Sequence, residues 1–115
     1  MVRTFYIPNR GDIVWLNFSP SRGHEQKGKR PALILSLKDY NERSGLAIVC
    51  PITSKKKGYP FEVEFSARRI NGIILADQLV SIDWKERAAT LVDRVPAEVI
   101  TEVQEKASLL INDAY

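Results

Sequence analysis

The feature that most constrains the fold is a change in the spacing of apolar residues along the chain. Between residues 13 and 92 the apolar stretches are short, rich in β-branched and aromatic residues, and separated by polar or glycine-containing breaks. From Pro96 onward, apolar residues recur every three or four positions. Several short strands followed by one amphipathic helix favour a mostly β protein, a small antiparallel barrel with a C-terminal helix, over βαβ units.

The pattern also predicts where the elements lie. Residues 37–43 fit a short helical turn, residues 85–92 fit either a helical turn or a last strand, and Asn71-Gly72 is the strongest hairpin-type turn signal. Residues 1–10 are interpreted as a loosely held arm. The helix after Pro96 has an apolar face that must lie against the barrel or against a second subunit. The predicted strands cover residues 13–18, 31–36, 46–52, 61–65, 73–76 and 80–84.

Length and composition exclude several classes of protein. With 115 residues, we expect a single domain spanning residues 1–115. The sequence shows no signal peptide and no apolar run long enough to span a bilayer, so we predict a cytoplasmic protein. One cysteine and one histidine allow neither an internal disulfide nor a zinc site, and we expect no metal or cofactor. Cys50 lies in an apolar run and is predicted to be a buried, inert thiol.

Charge is distributed unevenly between the two halves of the chain. Residues 1–57 carry 11 Lys and Arg against 4 Asp and Glu, whereas residues 58–115 carry 6 against 10. A basic half indicates a polyanionic partner, for which a phosphate backbone is the commonest candidate. Ordinary solvated lysines are the alternative interpretation.

Two polar residues stand at the ends of predicted apolar strands. Arg30 precedes the strand that begins at Pro31, and Thr53 follows the strand that ends at Ile52. If these strands are antiparallel neighbours, Arg30 and Thr53 fall on the same edge of the sheet. A guanidinium matches the oxygens of a phosphate, although an Arg paired with a surface carboxylate is the simpler explanation for one Arg alone.

The absence of familiar catalytic motifs narrows the chemistry. The sequence has no Gly-x-Ser-x-Gly motif, no Cys/His pair and no carboxylate cluster suited to magnesium. RNA requires none of these, because its own 2′-hydroxyl can attack the adjacent phosphate. The protein then has to orient the two groups and stabilise the charge that develops on the phosphoryl oxygens.

Five segments of the chain form a recognisable set in this order: 11–15 (GDIVW), 23–26 (GHEQ) with 29–32 (KRPA), 51–54 (PITS), 57–61 (KGYPF) and 75–78 (LADQ). Together they resemble the MazF/PemK toxins of bacterial toxin–antitoxin systems, with the MazF branch most similar. The resemblance implies an SH3-like barrel related to the CcdB fold, acting as a homodimer that cuts single-stranded RNA without metal. It also implies products with a 2′,3′-cyclic phosphate and a 5′-hydroxyl, and a MazE-like antitoxin whose acidic tail occupies the RNA groove.

The resemblance also assigns roles to individual residues. Arg30 matches the essential arginine of the family, Thr53 matches its essential threonine, and Glu25 matches an acidic position with a supporting role. Some relatives have a histidine immediately before the arginine, where this chain has Lys29. The group that moves the protons therefore stays open between Lys29, His24 and water.

Further residues are candidates for contacts with RNA. Cationic side chains suit backbone phosphates, and an aromatic ring at Tyr59 or Phe18 suits base stacking. Asp77 and Gln78 interrupt an apolar run, which indicates either recognition or a buried hydrogen-bond network. The same barrel also serves CcdB-like toxins that bind gyrase and barrels that only bind RNA, so those functions remain alternatives. The remaining RNA-binding candidates are Lys29, His24, Ser54, Lys55, Lys56 and Lys57.

Overall fold

The described part of the chain forms a curled antiparallel sheet with a helix at its C-terminal end. A computed structural model describes residues 5–17 and 28–112. Within these ranges the strand order is β4-β5-β3-β2-β1-β7, and β6 pairs with β3 beside this path. The mostly β architecture with a C-terminal helix is thus confirmed. The elements are β1 (Asp12–Asn17), β2 (Lys29–Ile34), α1 (Lys38–Ser44), β3 (Leu46–Thr53), β4 (Glu62–Ser66), β5 (Asn71–Leu75), β6 (Val80–Asp83), β7 (Thr90–Arg94) and α2 (Ala97–Ser108).

Apolar side chains are buried on both faces of the sheet. Because successive strand residues point to opposite faces, neighbours such as Ile13 and Val14 enter different cores. The helix-side core includes Val103 of α2, so the apolar face of this helix packs on the sheet of its own chain. The helix-side core contains Ile13, Leu33, Leu35, Cys50, Ile52, Val63, Phe65, Ile74, Ala76, Val95 and Val103. The second core contains Val14, Leu16, Ala32, Ile34, Ala47, Val49, Ile82 and Trp84.

Strand β3 pairs with three other strands of the curled sheet. Along one edge it pairs with β2, and along the other edge it pairs first with β6, over Leu46 to Val49, and then with β5, at Ile52 and Thr53. Pro51 stands between these two partners. Since proline has no N–H group to donate, it fits the position where one ladder ends and the next begins.

The N-terminal segment is held more firmly than its sequence suggests, at least from Phe5 to Arg10. Asn41 is fully buried and donates its side-chain amide to the backbone oxygen of Pro8, at 2.7 Å. Arg10 donates its Nε to the backbone oxygen of Leu35, at 2.6 Å. The hydroxyl of Tyr6 donates to Asp12. The prediction of a loose arm is therefore wrong for these residues, because polar groups in distant elements fix the segment.

The Asn71-Gly72 pair does not form a turn. Both residues lie in β5, where Gly72 pairs with Phe65 of β4, and the hairpin turn covers residues 67–70. A Cβ atom on Gly72 would lie 2.9 Å from Cγ2 of Ile52 and 3.0 Å from the backbone oxygen of Thr53. The glycine is needed for the close approach of β5 to β3, which explains why the turn prediction was wrong.

Other predicted bounds shift by one or two residues. The helical turn predicted at 37–43 is α1, and the ambiguous stretch 85–92 contains a turn followed by the start of β7. Strand β2 begins at Lys29, so Arg30 lies inside the strand and does not precede it. Within the described ranges, neither helix has the length and apolar character needed to cross a membrane.

Candidate active site

Arg30 and Thr53 lie on the neighbouring strands β2 and β3, each two residues beyond the last paired position. β2 and β3 pair antiparallel, with Ala32 opposite Pro51 and Leu33 opposite Cys50. Continuing this register by two residues sets Arg30 opposite Thr53. The expected antiparallel arrangement of these two strands is thus confirmed.

The two side chains also belong to one face of the sheet. Alternation along β2 puts Arg30 on the face of Ala32 and Ile34, and alternation along β3 puts Thr53 on the face of Val49. All three of those reference residues belong to the second core. Arg30 is exposed and Thr53 is half-buried, so the pair stands at the rim where the second core gives way to solvent.

The environment of Thr53 fixes how its hydroxyl can act. The backbone N–H of Lys55 donates to Oγ1 of Thr53, at 3.1 Å. A hydroxyl has one proton to donate and two acceptor lone pairs. Since the N–H of Lys55 occupies one lone pair, the proton of Thr53 is left to donate to an incoming acceptor such as a phosphoryl oxygen.

The loop after Thr53 presents cations at this rim. Ser54, the three lysines 55–57 and Tyr59 are all exposed. Nζ of Lys56 lies 3.0 Å from Oε1 of Glu64, and this hydrogen bond raises the pKa of Lys56. Within the described part of the chain, the ammonium groups of Lys55 and Lys57 have no such carboxylate partner.

Of the remaining candidate site residues, some are exposed near this rim and others lie outside the described part of the chain. Lys29 is exposed in β2 beside Arg30 and pairs with Asn17 of β1. Tyr59 exposes 62% of its surface, which leaves its ring accessible for stacking. Glu25, His24 and Phe18 lie outside the described residues.

Asp77 and Gln78 follow the C-terminal end of β5 and are exposed, so they do not form a buried hydrogen-bond network. Burial, together with the charge of Asp77, raises the pKa of the Cys50 thiol to about 12.

Two acidic residues that hold the cationic loop were not predicted as site residues from the sequence. Glu62 accepts hydrogen bonds from the backbone of the loop, and Glu64 pairs with Lys56. The alternation from Phe61 to Phe65 indicated only that Glu62 and Glu64 face away from the core. Among the described residues, no cluster of three or more His, Cys, Asp or Glu side chains could bind a metal ion.

A curled antiparallel sheet with cationic and hydroxyl side chains at one rim defines a class of small β proteins suited to binding nucleic acids. The comparisons with known proteins narrow this class. Residues 9–111 match the family model described as PemK-like, MazF-like toxin of type II toxin-antitoxin system. The chain belongs to this family.

Individual relatives support the assignment along nearly the whole chain. The endoribonuclease toxin MazF of Escherichia coli K12 is 42% identical over 106 residues, which cover 92% of this chain and 96% of the relative. The Escherichia coli endoribonuclease PemK is 32% identical and covers 96% of this chain and 87% of its own length. A MazE–MazF crystal structure from Deinococcus radiodurans has a chain 48% identical to this one, with a TM-score of 0.88 and coverage of 93% of this chain and 97% of that chain.

Proposed function

We propose that this chain is the toxin of a type II toxin–antitoxin system and an endoribonuclease that cleaves single-stranded RNA at short recognition sequences. The family assignment and the relatives named endoribonuclease support this activity. The observation that carries it is the antiparallel pairing of β2 with β3, whose register, continued by two residues, would set Arg30 opposite Thr53 on one face of the sheet. The whole chain acts as one domain, in the cytoplasm.

The proposed reaction is a transesterification within the RNA. The 2′-oxygen of a ribose attacks the adjacent phosphorus, the P–O5′ bond breaks, and the products carry a 2′,3′-cyclic phosphate and a 5′-hydroxyl. Negative charge builds on the phosphoryl oxygens in the transition state. The guanidinium of Arg30 and the hydroxyl of Thr53 donate hydrogen bonds to these oxygens, and such preorganised donors are typically the largest contribution to catalysis.

Two protons have to move during this reaction. The 2′-hydroxyl loses one proton, and the departing 5′-oxygen gains one. Arg30 is poorly suited to accept a proton because a guanidinium already carries its full set of protons and has no acceptor atom. Lys29, His24 and water remain the candidates for proton transfer, and Glu25 is assigned a supporting role on the resemblance of its loop to that of the family.

RNA binding is assigned to the rim around this pair. Ammonium groups of the loop contact backbone phosphates, and the exposed ring of Tyr59 stacks on an unpaired base. Ser54 adds a second hydroxyl next to Thr53. Asp77 and Gln78, exposed just after β5, are retained as candidate contacts to RNA.

Two protein partners complete the proposal. A second copy of the chain forms a homodimer, and exposed apolar side chains at Leu37, Tyr40 and Val80 are available for a subunit contact. A MazE-like antitoxin neutralises the toxin by placing an acidic segment on the cationic rim. Light scattering tests the homodimer, for which we expect a mass of about twice the 13.0 kDa of the chain.

The activity is tested by incubating the purified protein with a defined transcript in EDTA and mapping the new ends. We expect discrete cuts with cyclic-phosphate ends, and no cut where the ribose at the scissile position is replaced by deoxyribose. Arg30→Ala and Thr53→Ala should lower cleavage at least about a hundredfold while keeping the wild-type melting temperature. Arg43→Ala and Thr101→Ala are matched controls, since both residues are exposed on helices.

The site assignment and each alternative function can be told apart by experiment. Full activity of both Arg30→Ala and Thr53→Ala would remove the site assignment. RNA binding without any cleavage would indicate an RNA-binding barrel. Inhibition of gyrase without RNA cleavage would indicate a CcdB-like toxin.

A further inference from the structure

The carboxylate of Glu62 holds the backbone of the cationic loop. The backbone N–H of Lys57 lies 3.1 Å from Oε2 and 3.3 Å from Oε1 of Glu62, and the N–H of Gly58 lies 3.0 Å from Oε1. Gly58 has a φ of +83°, in the left-handed region that favours glycine. Two successive N–H groups therefore converge on one carboxylate, and the loop turns around it.

Glu62 itself is anchored on the folded body of the protein. Its backbone N–H donates to the oxygen of Tyr59 at 3.2 Å, and its backbone oxygen accepts a hydrogen bond from Nζ of Lys106 in α2 at 3.1 Å. It also pairs with Leu75 of β5. The carboxylate thus projects from a strand that is tied to both the sheet and the C-terminal helix.

The beginning of the loop contacts the proposed catalytic hydroxyl. The N–H of Lys55 donates to Oγ1 of Thr53 at 3.1 Å, and Lys56 is tied to Glu64 at 3.0 Å. With Glu62 fixing Lys57 and Gly58, each residue from Lys55 to Gly58 has a contact that restrains it. The loop therefore connects the position of the Glu62 carboxylate to the orientation of Thr53.

We propose that Glu62 is a positioning residue for RNA cleavage, acting through the loop of residues 54–60. It does not touch RNA. It holds the backbone so that the N–H of Lys55 orients the hydroxyl of Thr53 and so that Lys55 and Lys57 face the substrate. This proposal rests on the proposed endoribonuclease function, which it extends to a residue that neither the family resemblance nor the sequence pattern singled out.

Positioning of the loop and simple repulsion of RNA by the Glu62 carboxylate predict opposite effects when the carboxylate is removed. Removing a carboxylate beside a cationic rim favours RNA binding by reducing repulsion of phosphates. Positioning predicts the opposite result, since a loop that loses its anchor no longer holds Thr53 and the lysines. Glu62→Gln and Glu62→Ala remove the same charge, but only Gln keeps a side-chain oxygen that can accept hydrogen bonds.

The test compares Glu62→Ala, Glu62→Gln and Glu62→Asp with the wild type, with Glu105→Ala as a control for loss of an exposed carboxylate. Steady-state cleavage of a defined RNA gives kcat and KM, and hydrogen exchange reports the amides of Lys57 and Gly58. We expect Glu62→Ala to lower kcat about tenfold to a hundredfold, to raise KM, and to speed exchange at both amides. Glu62→Gln should restore both parameters to within about threefold of the wild type, because its oxygen still accepts the loop N–H groups.

Several results would overturn the proposal. Glu62→Gln as impaired as Glu62→Ala, with its loop amides still protected, would show that the charge matters and the anchoring does not. Unchanged kcat and KM in Glu62→Ala with fast amide exchange would show that the anchor exists but is irrelevant to cleavage. If Glu62→Ala fails to fold, Glu62→Asp, whose carboxylate is one methylene short of the loop, provides the same comparison and should resemble the loss variant.

Failure of the proposed function gives a separate signal. If the wild type and Glu105→Ala cleave no RNA, the endoribonuclease assignment fails, while hydrogen exchange still shows whether Glu62 holds the loop. If both cleave RNA and only the Glu62 variants behave contrary to expectation, the positioning role alone is refuted.

Discussion

The three lysines of the loop should contribute unequally to RNA binding. Lys56 already pairs with Glu64 at 3.0 Å, whereas Lys55 and Lys57 have no carboxylate partner among the described residues. A phosphate that binds Lys56 has to compete with a fixed carboxylate. We therefore expect Lys55→Ala and Lys57→Ala each to remove one phosphate contact and Lys56→Ala to remove none.

The salt dependence of binding gives the size of this effect. Each phosphate neutralised on single-stranded nucleic acid contributes about 0.7 to the slope of log K against log salt. Between about 50 and 200 mM salt, one contact thus corresponds to a change of about 2.6-fold in affinity, and two contacts to about sevenfold. Lys55→Ala and Lys57→Ala should each reduce the slope by about 0.7, and Lys56→Ala should leave it unchanged.

Fluorescence anisotropy with an RNA carrying a deoxyribose at the scissile position measures binding without cleavage. Glu64→Gln provides the reverse perturbation, because it releases Lys56 and should make the slope steeper by about 0.7. Equal slope changes for all three lysine variants would refute the reasoning, since they would show that the Glu64 pair does not withhold Lys56. An unchanged slope in Glu64→Gln would contradict it independently.

Three further predictions concern the framework of the site. Gly72→Ala should lower the free energy of unfolding by about 1–3 kcal/mol and slow RNA cleavage, because the new Cβ would lie 3.0 Å from the backbone oxygen of Thr53. Thermal denaturation measures the first effect and the RNA assay measures the second. The Cys50 thiol is buried and its pKa is raised to about 12, so iodoacetamide should modify it only in denaturant, as intact mass will show. The hydrogen bond from the backbone N–H of Arg69 lowers the pKa of Asp93 from its ordinary value of 3.8. The Asp93 carboxylate therefore stabilises the fold above pH 3.8, and this contribution is lost as the pH falls through the lowered pKa. Asp93→Ala should make the free energy of unfolding depend less on pH in this acid range, as denaturation at a series of pH values will show.

The expectation that Arg30 and Thr53 lie at the same edge of the sheet needs only the ends of two strands and the direction in which they pair. Apolar runs that end near these residues define two strands, and antiparallel pairing then brings the two ends together. The register itself needed the structure. A slip by one residue would have moved one side chain to the other face, and nothing in the local sequence of either strand excludes such a slip.

The errors have a common physical origin. Gly72 was interpreted as a turn residue because glycine favours turns, yet it is required by the approach of a strand distant in sequence. Glu62 was predicted only as part of the strand at residues 61–65, and its role depends on a loop that folds back onto it. The buried amide of Asn41 holds a segment 33 positions away. Each contact is non-local, and composition and periodicity carry information mainly about neighbours in sequence.

The change of partner along β3 explains why the site lies where it does. Pro51 supplies no N–H, and the strand passes from the ladder with β6 to the ladder with β5 around this residue. Beyond Pro51, β3 has β5 as its hydrogen-bonded neighbour, and Thr53 pairs with Ile73. The pairing of β3 with β2 ends at Pro51 and Ala32, so Thr53 and Arg30 each lie two residues beyond the last pair, at the strand ends that carry the proposed site.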